Sequence, residues 1–345
     1  MIKSANQLGK YFHLQRLCSN KGNFKMLALD QRPPIFSIIQ NAKKSEPTYQ
    51  EVVECKKIIS SSLAKYSTAV LMDPYYSIPN IIDTARGKGL IITLEDHVFK
   101  ETANGRFSKS IDNWSVEKIK RVGGDAVKVL AWYRPDADSQ SKQHQQDYVR
   151  SIGEECKRLS IPFLLELLVY AFVEDDEHTR GYEEQKSKKI DHVIESVNTF
   201  SKDEYSIDIF KLESPVPSKE LVNYEDNKET QKAFKDLASA TRGKPWVVLS
   251  SGMTKNAFIQ CLELAYANGA SGYLAGRSIW KEAFDNYPNM DEIKKELQSS
   301  SSTYMQTINE LTDAKAASLN NFIKDQLTLN DADKFMTTFS NFSQS

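Results

Sequence analysis

Cysteine is scarce in this chain of 345 residues: Cys18, Cys55, Cys156 and Cys261 lie far apart, with no CxxC pair. That excludes a disulfide framework or a thiolate zinc site as the organising feature and suits reduced thiols in the cytoplasm. Histidine is also sparse. His13, His97, His144, His178 and His192 show neither HxH nor HExxH spacing, so no metal and no cofactor is expected. No segment approaches the roughly 20 apolar residues that a membrane span requires, and the amphipathic start MIKSANQLGKYFHLQRL lacks the apolar run of a signal peptide. A soluble, cytoplasmic protein is the expectation. Nor is there an excess of either charge: the formal net charge is −1 and the basic residues are scattered, which excludes the electrostatic footprint of a nucleic-acid or membrane-surface binder.

What the chain does contain is a rhythm. Short apolar runs recur, most of them ending in a polar residue: KMLALD (25–30), TAVLMD (68–73), GLIITLE (89–95), DAVKVLA (125–131), PFLLELLV (162–169), DIFKLES (208–214), PWVVLSS (245–251) and SGYLAGR (271–277). Stretches of helical period lie between them, among them 48–66, 115–123, 147–159, 189–200 and 254–269, with Gly123 and Gly269 as left-handed stops. Eight buried strands alternating with helices predict a (β/α)8 TIM barrel with an extra N-terminal helix. A doubly wound open sheet is the alternative, weakened because no GxGxxG follows the first strand. The barrel is expected over 1–289, and residues 290–345 as a helical extension packed on it or on a neighbouring subunit, with SSSS (299–302) as a bend or short linker.

The run DIFKLES places a lysine in a strand that is otherwise apolar. Side chains alternate along a strand, so Ile209, Lys211 and Glu213 share one face and Phe210 and Leu212 the other. If the large pair faces the helices, Lys211 points into the barrel near the strand's C-terminal end, where these barrels carry their active sites. The same parity sends Asp30, Lys128 and Glu166 inward, so two carboxylates balance two amines. An amine kept from water beside a second ammonium is partly neutral near pH 7 and can form a Schiff base with a ketone. The iminium draws electrons from the adjacent carbon–carbon bond, while a carboxylate moves protons to and from the substrate hydroxyl. A buried ion-pair network that merely holds the barrel together is the competing account. Ser250, Ser251 and Gly252 end strand seven, and Gly276 and Arg277 end strand eight; in such barrels these loops often bind phosphate.

The ordered runs LALDQR, GDAVKVLAWY, PFLLELLVY, DIFKLESPVP, VVLSSGM and GYLAGRSIW, spanning about Phe24 to Trp280, resemble the tagatose 1,6-bisphosphate aldolase family of class I aldolases. VVLSSGM and GASGYLAGRSIW are also similar to sulfofructose-phosphate aldolase. The resemblance implies a TIM-barrel lyase that reversibly cleaves a ketose (bis)phosphate to dihydroxyacetone phosphate and an aldehyde, either glyceraldehyde 3-phosphate or sulfolactaldehyde, without a metal and as a homo-oligomer. Carried over, Lys211 matches the Schiff-base lysine, Glu166 the proton-transferring glutamate, and Asp30 and Lys128 the residues that orient the substrate and tune the amine. Gln31, Ser251, Gly252, Gly276 and Arg277 fall on substrate and phosphate contacts. This sequence departs in two places: Pro33 and Pro34 follow LDQR where a small residue is usual, and the loop 95–110 is longer.

Other readings remain open. Lys100, Arg106 and Lys109 are a second anion site or a solvated basic loop. EDDEH (174–178) reads as a solvated acidic loop rather than a metal site, and His97 as a loop histidine. Trp132, Tyr133 and Tyr170 either line a sugar pocket or pack at the core rim. Barrels with inward lysines also serve decarboxylases and isomerases, and a sugar-phosphate-binding regulator without turnover is the non-enzyme alternative.

Overall fold

A computed structural model describes residues 8–181, 185–222, 224 and 227–322. The eight apolar runs form eight parallel strands: β1 (Phe24–Leu29), β2 (Ala69–Met72), β3 (Gly89–Thr93), β4 (Ala126–Trp132), β5 (Phe163–Leu168), β6 (Ile209–Leu212), β7 (Trp246–Val248) and β8 (Gly272–Ala275). They close in the order β1-β8-β7-β6-β5-β4-β3-β2, so the fold is a TIM barrel and the open-sheet alternative falls. Closure separates two apolar layers by strand parity. Met26, Ala28, Leu71, Ile91, Ala126, Leu164, Ile209, Val247 and Leu274 fill the interior, whereas Leu27, Val70, Ile92, Val127, Leu165, Phe210 and Leu212 meet the surrounding helices. Both faces of every strand are thus covered, which is why the runs carry so little alternation of polarity.

The N-terminal helix Leu8–Leu17 closes the bottom of the barrel, where Leu14 and Leu17 join the inner layer. Helix 49–63 starts on a capping box of Thr48 and Glu51, and Gly123 and Gly269 take positive φ of 94° and 87° at the ends of theirs. The helix expected over 147–159 begins earlier and spans Ser139–Arg158. Its first two turns carry no apolar stripe because they pack on polar backbone: Gln145 donates to the Arg106 carbonyl at 2.8 Å, and His144 lies 2.8 Å from that of Ser108.

Two further expectations change. SSSS is neither bend nor linker: residues 297–301 form a π-helical turn continuous with the helix Ser302–Lys315. Ser299 and Ser302 return their hydroxyls to carbonyls of the preceding turn, so the serines do not break the helix. This helix packs on the barrel of its own chain, with Tyr273 donating to Asn309 at 2.6 Å and Lys25 pairing with Asp313 at 2.9 Å. The remainder of the expected extension, 323–345, lies outside the described residues. The long loop after β3 contains an antiparallel hairpin, Lys100–Thr102 with Gly105–Phe107. Among the described residues, no helix is long and apolar enough to cross a membrane.

Candidate active site

The C-terminal ends of the strands surround a cleft of ≈ 550 Å³ that opens to solvent. All nine residues singled out from sequence are here except Gly252, which adjoins it: Asp30, Gln31, Lys128, Glu166, Lys211, Ser251, Gly276 and Arg277 line the cleft. Register explains the central contact. Glu166 on β5 pairs directly with Lys211 on β6, and the Lys211 ammonium donates to Glu166 Oε2 at 2.9 Å. Lys128 on β4 is in register with Leu164 rather than Glu166, and its four-carbon stem spans the offset to reach the same Oε2 at 2.7 Å. One carboxylate oxygen therefore holds two amines.

The charge count differs from the expectation of two against two. Lys128 also contacts Asp30 at 2.9 Å and Glu95 at 2.5 Å, so three carboxylates face two lysines. Glu95, which the sequence reading does not single out, is 2% exposed and accepts a hydrogen bond from Thr93. Parity was the available signal, because Ile91, Thr93 and Glu95 alternate inward in GLIITLE just as Ile209 and Lys211 do in DIFKLES. Arg32 supplies the third cation, donating from Nη2 to the Glu95 carbonyl at 3.2 Å. Glu213, which the same alternation would also send inward, leaves the cluster: it accepts from Val169 N–H at 2.8 Å and Lys188 at 3.0 Å.

Electrostatics fix protonation states within the cluster. Burial alone would drive charge off Lys128, but Asp30, Glu166 and Glu95 together outweigh it and hold its amine well above the usual lysine range. Burial would likewise raise Glu166 and Asp30. Lys128 and Lys211 more than offset it and keep both carboxyls below their ordinary values. The carboxylates are thus bases, and Lys128 is a fixed positive charge.

Several polar atoms on the wall have no partner among the described residues: Asp30 Oδ1, Gln31 Oε1, Arg32 Nε and Nη1, and Ser251 Oγ. An unmade hydrogen bond costs about 1–3 kcal/mol per buried group, so a cluster of them on one cleft favours a polyhydroxylated, anionic ligand. On the β7–β8 side, Ser251 and Gly252 take positive φ of 45° and 84°, and the Cβ position of Gly252 lies 3.7 Å from the Arg277 guanidinium. Gly276 is required by close approach, since a Cβ there would stand 2.5 Å from the Ala28 carbonyl oxygen.

The other candidate residues do not join this cleft. Arg106 is neither solvated nor a free anion site: it is 1% exposed, with its guanidinium carbon within 4.7 Å of the ring centres of Phe99, Trp132 and Tyr170. It pairs with Glu101 at 2.8 Å. Lys100 is exposed, and Lys109 sits 3.5 Å from Asp96. Trp132 and Tyr170 belong to this rim packing, and Tyr133 faces the outer helices. In EDDEH, Glu174 and Asp176 are exposed, Asp175 meets Arg134 at 3.3 Å and His178 meets Glu101 at 3.0 Å. No group of three metal-binding side chains occurs among the described residues. His97 lies in the loop after β3 against the ring of Phe36.

The chain is 31% identical over 282 residues to the tagatose 1,6-diphosphate aldolase of Lactococcus lactis subsp. lactis, covering 79% of this chain and 85% of that one. It is 30% identical over 318 residues to the enzyme of the same name from Listeria monocytogenes serovar 1/2a, covering 89% and 93%. Among solved structures, fructose-bisphosphate aldolase from Plasmodium falciparum superposes with a TM-score of 0.62 over 91% of this chain and 96% of that one; at 11% identity it shows the shared fold alone. The DeoC/LacD family aldolase model matches residues 24–282. By this family match and these relatives, the chain belongs to the DeoC/LacD aldolase family and is a lyase.

Proposed function

We propose that the protein is a class I, Schiff-base aldolase that reversibly cleaves a ketose (bis)phosphate such as tagatose 1,6-bisphosphate to dihydroxyacetone phosphate and glyceraldehyde 3-phosphate. The observation that carries this reading is the contact of one Glu166 oxygen with both Lys211, at 2.9 Å, and Lys128, at 2.7 Å. Glu166 can take a proton from Lys211 and so free its lone pair, while Lys128 keeps a second positive charge beside it. The Lys211 amine adds to the ketose carbonyl, and loss of water gives an iminium. Removal of the proton from the C4 hydroxyl by Glu166 then breaks the C3–C4 bond, the aldehyde departs, and its electron pair remains as the enamine. Protonation of the enamine and hydrolysis release the ketone. The turn at Ser251 and Gly252, with Gly276 and Arg277, receives the phosphate of the dihydroxyacetone half, and Asp30 and Gln31 meet substrate hydroxyls through their unpartnered oxygens.

The test is mass spectrometry after incubation with dihydroxyacetone phosphate and sodium borohydride, with EDTA present throughout. A reduced adduct on the peptide containing Lys211 is expected. Folded protein without the adduct would remove the covalent mechanism and leave a non-covalent barrel enzyme or a sugar-phosphate-binding protein.

A further inference from the structure

Helix 49–63 turns Val52, Cys55, Ile59 and Leu63 onto the barrel, and a lysine shares that buried face: Lys56 is 1% exposed. Its amine enters between the ends of β1 and β2, where it donates to the Leu29 carbonyl at 2.6 Å and to Asp73 Oδ2. Asp73, fully buried, follows β2 as Asp30 follows β1. Its Oδ1 accepts from the Tyr75 and Tyr76 N–H groups at 2.9 Å, and Ser77 donates to Oδ2 at 2.8 Å. Burial pushes the Lys56 amine below its ordinary value, while Asp73 and then Asp30 pull it back. A buried ion pair is commonly no more stable than apolar side chains of similar volume, so packing alone does not account for this one.

The Leu29 carbonyl belongs to the peptide unit that carries Asp30 into the cleft. That unit is planar, so a donor that fixes the carbonyl also fixes the start of Asp30, the first residue past β1. Asp30 Oδ2 meets Lys128 at 2.9 Å, and Oδ1 has no partner among the described residues. Against burial, Lys128, Lys211 and then Lys56 hold the Asp30 carboxyl below its ordinary value. Lys56 does not itself line the cleft. Its route to the chemistry is the backbone.

We propose that Lys56 is a positioning residue for the reaction at Lys211: through the Leu29 carbonyl it sets where Asp30 stands between Lys128 and the substrate. The proposal rests on the aldolase reading of the cleft. Asp73 supports the charge of the amine, and the hydrogen bond to the carbonyl, which a neutral amine also donates, is the working contact.

Activity and stability should therefore move in opposite orders. Asp73→Asn keeps an acceptor for Tyr75 and Tyr76 and leaves Lys56 on the Leu29 carbonyl as a neutral amine, so its Tm falls while kcat stays within about threefold of wild type. Lys56→Met/Asp73→Asn replaces the ion pair by uncharged groups and regains Tm relative to Asp73→Asn. Its kcat should nevertheless fall about 10- to 100-fold, the scale of a misplacement of about 1 Å near reacting groups, while borohydride trapping of dihydroxyacetone phosphate at Lys211 persists. The measurements are thermal unfolding and steady-state kinetics of the wild type and both variants, at a temperature where all are folded. The substrate is whichever of tagatose 1,6-bisphosphate and 6-deoxy-6-sulfofructose 1-phosphate the wild type cleaves. Lys56→Gln/Asp73→Asn and Asp73→Ser stand in for a variant that does not fold. A lysine with only a structural role makes kcat follow Tm. That order, equal losses of kcat in the two variants, or no loss in either overturns the role of Lys56 alone. A folded wild type that traps no dihydroxyacetone phosphate and cleaves neither ketose overturns the aldolase reading of the site, and this inference with it.

Discussion

The two ends of the barrel are built from the same residue types to opposite effect. At the bottom, Asp125 accepts from His13 at 2.8 Å, Arg16 at 2.7 Å and the Leu90 N–H at 2.9 Å. Asp208 accepts from Lys10 at 2.7 Å and the Phe163 N–H at 2.8 Å. These carboxylates stitch the N-terminal helix to strand starts, and neither leaves a buried oxygen unpartnered. At the top, Asp30 shares Lys128 with two other carboxylates yet keeps one oxygen unpaired, beside orphaned atoms of Gln31, Arg32 and Ser251. Both ends pair carboxylates with cations; what separates a fastener from a site is saturation. A fastener leaves no buried carboxylate oxygen unpartnered, and a site holds donors and acceptors in reserve on a cleft wall.

The sharpest way to break this contrast is at Lys211. Lys211→Ala should abolish turnover and borohydride trapping while leaving the circular dichroism spectrum unchanged, because only a nucleophile forms the covalent intermediate. Near-normal turnover would reduce the upper cluster to a second fastener. Glu166→Gln comes next. It keeps the shape but not the base, and a loss of about 10²- to 10⁴-fold in kcat is expected, the usual range for a general acid–base group. A loss under tenfold would transfer proton movement to Asp30 or Glu95.

Much of this was legible before any coordinates. The eight strands stand out because a parallel sheet covered on both faces needs continuous apolar runs. Strand parity then places Asp30, Lys128, Glu166 and Lys211 in one cleft. Glu95 obeys the same parity although it lies past its strand, whereas Glu213 in DIFKLES does not, so parity alone could not have told the two apart. The hairpin after β3 turns on Ala103 and Asn104, one residue ahead of the Asn104-Gly105 pair that marks a turn in the sequence. Arg32 is different. It lies beyond the strand, where no periodicity governs direction, and its aim depends on the Glu95 carbonyl, 63 residues away in sequence. Arg106 is opaque for a similar reason. A charged residue in a polar loop reads as solvated until Phe99, Trp132 and Tyr170 are known to enclose it. The polar start of helix 139–158 is hidden because its buried face meets backbone carbonyls instead of apolar side chains.

The smallest expected effect lies at the saturated end, and it tests the contrast from the other side. Burial would raise the carboxyl of Asp125, but hydrogen bonds from His13, Arg16 and the Leu90 N–H outweigh it and hold the group below the usual aspartate range. A depressed folded value stabilises the native state above the unfolded value of about 3.9, and that contribution is lost as pH falls through the folded value. Asp125→Asn should therefore cost about 1–2 kcal/mol near neutral pH, toward the low end because Arg16 is nearly half exposed. In thermal unfolding this is a Tm drop of about 1–3 °C, and the acid side of the stability profile should flatten below about pH 4. With kcat and KM unchanged, the bottom cluster is a fastener only. If Asp125→Asn instead lowered kcat at constant stability, saturation would not distinguish the two ends, and the unpartnered atoms around Lys211 would lose their standing as the mark of the site.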